Sequence, residues 1–167
     1  MLFKRSRHEA VTETAPPLDP LLRRRLTLTP DSGELQATLA GGMCYEVAID
    51  SFFGASHAVR PSGERHTHSF RVQATFLCDG LDQRGMTVGF REITDLLEAE
   101  ARRYANQFLN DIPPFTVIQA SGENLATVIY RNLEIACKSA LPGGPKLAAI
   151  TLWENPSSSV RVQRKAA

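Results

Sequence analysis

Three of the chain's four histidines fall in one short stretch, His57-Ala-Val-Arg-Pro-Ser-Gly-Glu-Arg-His66-Thr-His68. His66 and His68 are two apart, which on a strand puts them on the same face. His57 precedes them across Arg60-Pro61-Ser62-Gly63-Glu64, a composition that reads as a turn. If Tyr45–His57 pairs with His66–Leu77 about that turn, His57 lies opposite His66 and His68 is its diagonal neighbour. Three neutral imidazoles with an open fourth position describe a catalytic zinc site. Imidazole suits copper, nickel and iron as well, so geometry and availability would select the metal. The same spacing also fits three polar histidines at a hairpin end that bind nothing.

The flanking sequence supplies the elements that would position them. Met43, Tyr45, Val47 and Ile49 alternate with Cys44, Glu46, Ala48 and Asp50. That period of two marks a half-buried strand. Phe53 and His57 continue its apolar parity if no bulge intervenes at Gly54. In the next run His66, His68, Phe70, Val72, Ala74 and Phe76 share one face. The histidines therefore extend an apolar surface, where a metal is shielded from water and an unsatisfied imidazole costs most. Asp79-Gly80 and Arg84-Gly85 mark turns. Ile93, Leu96, Leu97, Ala101, Tyr104 and Phe108 recur at helical spacing, predicting a helix over about 91–109 that Pro113-Pro114 closes off. Glu98 and Arg102 form a supporting i,i+4 pair. A second helix is expected over about 122–140, with Ser121 as N-cap, Glu123 in its first turn and Leu125, Ile129, Leu133 and Ala136 as its buried stripe. Residues 147–153 and 159–162 read as strands about a Pro156-Ser turn. The order strand, strand, helix, helix, strand, strand implies an α+β fold, a four-stranded antiparallel sheet with two helices on one face.

Length and composition set the outer limits. A chain of 167 residues suits one core domain. A net charge of +1 gives no global field toward nucleic acid or membrane. No stretch approaches the roughly 20 apolar residues of a membrane span, and the basic start lacks the apolar region of a secretory signal. Cys44, Cys78 and Cys137 are odd in number and contain no C-x-x-C, which fits a reducing compartment and three buried, inert thiols. A cytoplasmic location is the expectation. Residues 1–42 form an N-terminal extension: the Pro-rich first twenty residues read as disordered, Arg23-Arg24-Arg25 as a solvated basic run, and 26–39 as an added strand or hairpin around Pro30-Asp-Ser-Gly33. Residues 43–163 form the domain and 164–167 a tail.

At this point the pattern resembles a family. Phe53-Gly-Ala-Ser-His57, His66-Thr-His68, Gly85-Met-Thr-Val-Gly-Phe90, Leu109-Asn110, Glu123-Asn-Leu-Ala126 and Leu152-Trp-Glu154 occur in the order and spacing of the 6-pyruvoyl-tetrahydropterin synthases. The 6-carboxy-tetrahydropterin synthases of deazapurine biosynthesis belong to the same family. The resemblance covers about residues 43–163. It implies the tunnelling fold, in which trimers close their sheets into a barrel, usually stacked as a hexamer, with sites between subunits. It implies zinc on His57, His66 and His68, and a pterin ring anchored by Glu154, whose carboxylate suits a planar pair of N–H donors. It places Ser121 and Glu123 in the pocket, beside their sufficient role as helix cap and first-turn acid.

The departures from the family pattern are as informative. The family's cysteine, four residues before the first histidine of its H-G-H, is Ser62 here, a poorer base than a thiolate. Its Asp-His pair aligns with Ala105-Asn106, which removes a proton acceptor and the carboxylate that orients it. The Asp of Gly-Met-Val-Ile-Asp-Phe is Gly89, and the Gly of H-G-H is Thr67. Glu64, two before His66, is a candidate substitute base and otherwise a solvated turn carboxylate. The family reaction acts on dihydroneopterin triphosphate, with zinc polarising side-chain oxygens while protein groups move protons. The sequence thus implies a zinc-dependent carbon–oxygen lyase of altered chemistry on a pterin or related small polar substrate. A non-catalytic pterin-binding or scaffolding homologue with structural zinc is the alternative. A three-histidine metallohydrolase unrelated to the family is a third reading.

Overall fold

The computed structural model of the protein describes residues 32–59 and 63–165. The expected disorder of the first twenty residues, the basic run at Arg23-Arg24-Arg25, and Ser62 with most of its turn lie outside these. The chain divides into two units between Leu39 and Ala40. In the first lies most of helix α1 (Ser32–Ala40), where a strand or hairpin was expected. Glu34-Leu-Gln-Ala-Thr-Leu-Ala40 lacks period-two alternation and consists mostly of good helix formers, with Glu34 in the first turn where the helix dipole favours an acid.

The second unit carries β1 (Tyr45–His57), β2 (His66–Cys78), α2 (Phe90–Arg102), a 3₁₀ turn (Leu109–Asp111), α3 (Gly122–Ala140), β3 (Lys146–Asn155) and β4 (Ser158–Gln163). The strands form one antiparallel sheet in the order β1-β2-β3-β4. The ββααββ plan is therefore the one the sequence implies. The strand parity also holds: Val47, Ile49, Ser51, Phe53 and Ala55 of β1 are buried, as are Phe70, Val72, Ala74 and Phe76 of β2. Leu152 and Ile150 of β3 pair with Val72 and Ala74 and share that face. Against it pack Ile93, Leu97 and Ala101 of α2 and Leu125, Ile129 and Leu133 of α3. Among the described residues no helix is long and apolar enough to cross a membrane.

Three sequence expectations need correction. Met43 is exposed and lies before the strand, because β1 gains its partner only from Tyr45, opposite Cys78. Cys44 is exposed rather than buried, whereas Cys78 and Cys137 are buried; burial pushes the Cys137 thiol up to about 11. Helix α2 ends at Arg102, not near 109. Its hydrophobic spacing continues to Tyr104, which is buried, but Asn106 then adopts a left-handed φ of 61°, a conformation asparagine tolerates and a helix does not. From there the chain turns along the free edge of β1: Asn106 N–H donates to the Gly54 carbonyl at 2.6 Å, and Ser56 N–H to the Gln107 carbonyl at 2.9 Å.

A buried polar cluster joins the helices. The Tyr104 hydroxyl donates to Glu100 Oε1 at 2.5 Å, Asn132 Nδ2 donates to the same oxygen at 2.8 Å, and Arg103 approaches Oε2 at 3.2 Å. Burial, with the neighbouring Glu100 carboxylate, pushes the Tyr104 phenol well above its usual range. At the far end of the sheet, Arg164 ties β4 to α3 through two bonds to Glu134, 3.0 and 2.7 Å long. The Arg164 hydrogen bonds, helped by the charges of Arg164 and Lys138, hold the Glu134 carboxyl below its usual value of 4.5. A carboxyl lowered in the folded state stabilises the fold above its unfolded pKa and ceases to as pH falls through the folded one. Glu134→Gln is therefore expected to lower the thermal midpoint by about 1–3 °C at pH 7. The difference should shrink as pH falls below the usual carboxyl value of 4.5 and vanish once the folded-state carboxyl is protonated, in thermal melts across a pH series; a difference independent of pH would refute the assignment.

Candidate functional site

The β1–β2 ladder runs without a break from Tyr45↔Cys78 to His57↔His66. Its parity sends His57, His66 and His68 to the helix-covered face, at the end where the helices no longer reach over all of it. His57 is buried, His68 half-buried and His66 exposed. The ring centres of His57 and His68 are 5.0 Å apart, and that of His66 lies 6.4 Å and 6.3 Å from them. Two imidazoles sharing a zinc at a Zn–N distance of about 2.0–2.1 Å have ring centres about 5 Å apart. His57 and His68 meet that spacing, and His66 stands roughly 1 Å outside it. Phe70 forms an apolar floor, 5.9 Å from the His57 ring and 5.4 Å from that of His68.

Two contacts prepare His57 as a ligand. Its Nδ1 lies 2.6 Å from the Ala120 carbonyl oxygen. A carbonyl only accepts, so Nδ1 carries the proton and Nε2 presents its lone pair, the arrangement that fixes the tautomer of a metal-binding histidine. Asn110 clamps the next residue on both sides: its Nδ2 donates to the Ala58 carbonyl and its Oδ1 accepts from the Ala58 N–H, each at 2.9 Å. Asn110 and the Ala120 carbonyl were not among the site residues expected from sequence. The Leu109-Asn110 pair was visible as a motif, but its role was not; a backbone carbonyl leaves no sequence signal at all.

The other wall of the site is built from β3 and α3. Trp153 pairs with Ser159 and Asn155 with Ser158, so Glu154 is the extra residue of a β-bulge. Bulges re-aim side chains and recur next to functional sites. The Glu154 carboxylate turns to the start of α3, where a Cβ on Gly122 would meet its Oε1 at 2.9 Å. Ser121 is the N-cap of α3, its hydroxyl accepting from the Asn124 N–H at 3.3 Å. Ser121, Gly122, Glu123 and Glu154 line an open pocket of about 280 Å³ together with Val59, Leu152 and Val160. One ligand atom each from His57, His68 and Glu154 lie within 4.8 Å of one another. Two imidazoles and a carboxylate, with a third imidazole beside them, form a donor set that suits zinc.

The remaining predicted positions are placed as follows. Glu64 is exposed on the turn two residues before His66 and does not join the histidine group; the carboxylate that does is Glu154. Ser62 lies outside the described residues. Ala105 and Asn106 lie along the edge of β1, Ala105 beside Phe53 in a separate hollow and Asn106 bonded to Gly54. Neither lines the pocket of Glu154.

The sequence pattern of 6-pyruvoyl tetrahydropterin synthase matches residues 46–165. Among solved structures, 6-pyruvoyl tetrahydropterin synthase from Caenorhabditis elegans is similar over 74% of this chain and 97% of its own, with a TM-score of 0.64 and 16% identity. The Plasmodium falciparum 6-pyruvoyl tetrahydropterin synthase gives 0.52 and 14% over 74% and 99%. An uncharacterised protein from Wolinella succinogenes gives 0.54 and 17% over 74% and 100%. At these identities the likeness establishes the fold, the tunnelling fold. No curated protein matches the chain.

The Asn110 clamp is testable alone. Asn110→Ala leaves the Ala58 N–H and carbonyl without their partner in a partly buried position. The expected loss is about 1–3 kcal/mol, read as a lowered urea midpoint with an unchanged slope; a midpoint within error of the parent would remove the clamp from the account.

Proposed function

Since the chain belongs to the 6-pyruvoyl tetrahydropterin synthase family, we propose that it is a zinc-binding member acting on a pterin or a related small polar ring. Its carbon–oxygen lyase chemistry is altered by the loss of the usual proton-transfer groups. The observation that carries this is the joining of the two halves of the site. The histidine cluster and the Glu154 pocket meet at the start of α3, where Ala120 holds His57 and Gly122 abuts Glu154.

In this reading His57, His66 and His68 hold the metal. Bound there, zinc supplies a Lewis acid for the oxygens of a substrate side chain. Glu154 accepts a pair of ring N–H donors, a planar match for a carboxylate. Ser121 and Glu123 line the rim beside it. Val59, Leu152 and Val160 give the ring an apolar wall. Glu64 or Ser62, on the turn that carries the histidines, takes up a proton in place of the family's cysteine. The protein self-associates as a trimer or hexamer through the free edges of β1 and β4, which brings a neighbour's side chains to the open side of the pocket.

The alternative is a non-catalytic homologue that binds a pterin or scaffolds an assembly, with zinc for structure. The specific support for it is Ala105-Asn106 on the β1 edge, where neither side chain moves a proton. General acid–base groups are worth about 10²–10⁴-fold each, so the two readings differ in rate by orders of magnitude.

The direct experiment is to load the purified protein with zinc and incubate it with dihydroneopterin triphosphate. Slow, zinc-dependent triphosphate release with a new pterin product is expected. Neopterin binding should weaken at least tenfold in Glu154→Ala. Neopterin binding without turnover selects the non-catalytic reading, and no pterin binding at all sinks both. Gly122→Ala offers a second check: its methyl pushes on Glu154 at the first turn of α3, so neopterin affinity should fall while helical circular dichroism is retained. Affinity equal to the parent would mean Glu154 does not anchor the ring.

A further inference from the structure

We propose that the cleft between α3 and β4 carries a second site, a cationic groove that binds a small molecule through two or more of its phosphates. The groove is walled by Tyr130 and Arg131 of α3 and by Val162, Arg164 and Lys165 at and just past the end of β4. It is open to solvent, with a volume of about 410 Å³. It shares no lining residue with the Glu154 pocket, which takes the first turn of α3 and the start of β4. The proposal does not depend on the metal or pterin reading.

Three observations carry it. The first is charge. The whole chain has a formal net charge of +1, yet Arg131, Arg164 and Lys165 meet at this groove, and no carboxylate is among the described residues that line it. Glu134 beside it is already bonded twice by Arg164 and approached by Lys138 at 3.6 Å. The second is availability. Arg131 and Lys165 are exposed, and among the described residues neither has an ion-pair partner. Unpaired cations held close together repel one another, and a bound anion removes that cost. The third is order. Arg164 spends Nε and Nη2 on Glu134, at 3.0 and 2.7 Å, which holds its guanidinium at the groove wall.

The donors select the ligand class. An arginine fork takes two phosphate oxygens at once, and a lysine adds a point charge beside it. Arg131 and Lys165 come from different elements, so a ligand that reaches both must carry charge at more than one place. A polyphosphate does; a single carboxylate does not. The half-buried Val162 and the buried Tyr130 give the groove an apolar part, with room for an organic group on the same phosphates. The volume falls in the range of about 300–1,000 Å³ usual for small-molecule sites. A nucleic acid, with its many phosphate contacts in line, needs a longer basic track than this groove offers. Inorganic triphosphate and a nucleoside triphosphate share the chemistry the groove recognises.

The test is calorimetric titration of the full chain with inorganic triphosphate and, in a second arm, with ATP. Saturable binding below about 1 mM is expected. Arg131→Gln and Lys165→Gln should each weaken it at least tenfold. Both side chains are exposed, so the fold should be retained, which circular dichroism checks. Glu154→Ala and His57→Ala should bind as the parent does. Equal affinity for the two probes means the groove reads phosphates alone, and tighter ATP means an organic group is seated beside Val162; either supports the site. No saturable binding of either probe overturns the proposal, as does parent-like binding in both groove variants. Binding lost in His57→Ala but kept in Arg131→Gln places the anion on the histidine cluster and also overturns it. If the parent binds no triphosphate and Arg131→Gln changes the sedimenting mass, the groove belongs to a contact with a second copy and the proposal falls.

Discussion

The site depends on the register of one hairpin. In the β1–β2 ladder every residue from Tyr45 to His57 has its partner, and the last pair is His57↔His66. Side chains alternate with a period of two, so a slip of one residue between β1 and β2 would put His57 on the opposite face from His66 and His68 and turn one strand's buried residues outward. Register is therefore fixed by the core, not by the site. Phe53 stacks on Phe70 at 5.2 Å and meets the tilted Tyr104 ring at 5.7 Å. Burying these rings selects the pairing that also converges the imidazoles. The histidine cluster is in this sense a by-product of hydrophobic parity, extended toward the open end of the hairpin.

The second wall comes from elements more than fifty residues away, and its attachment is backbone chemistry. Ala120 offers His57 a carbonyl, Asn110 holds both backbone groups of Ala58, and Gln119 donates a side-chain amide hydrogen to the Val59 carbonyl. Three successive residues, His57, Ala58 and Val59, are thus held by the segment that runs into α3. The cap of that helix completes the link. Ser121 fixes where α3 begins, and that in turn fixes where Gly122 meets Glu154. Ser121 does not need to touch a ligand to matter here. Its structural role as cap and its place on the pocket wall are two consequences of one position.

What sequence showed and what it did not divides along the same physical line. Period-two alternation placed both long strands and the helix-covered face that carries His57, His66 and His68. Helical spacing and a capping serine placed α3 at its observed bounds. Helix α2 was read too long because hydrophobic spacing continues to Tyr104, while a single left-handed asparagine ends the helix first; spacing reports burial, not backbone conformation. Helix α1 was missed because Gly33 after Pro30-Asp-Ser was weighed as a turn. The Glu100–Tyr104–Asn132 cluster was missed because no local pattern marks a carboxylate that is buried by a helix thirty residues on. The bulge at Glu154 was equally hidden, since it depends on how β4 pairs back across the Pro156-Ser turn.

The replacements at Ala105 and Asn106 bear on fold and chemistry together. Asn106 holds a left-handed φ and gives its N–H to Gly54 at 2.6 Å. That bond and the Ser56–Gln107 bond beside it let the chain cover the end of the β1 edge next to the histidine turn. Asparagine is well suited to that conformation, because its short polar side chain lowers the cost of left-handed backbone that other residues meet. At this position the sequence has thus settled on a residue good for the turn and useless for proton transfer. The candidate metal and ring ligands, by contrast, are present, and His57 among them is held by the Ala120 carbonyl. The carboxylate that the β3 bulge brings to the histidines is Glu154, whose ligand atom lies within 4.8 Å of those of His57 and His68.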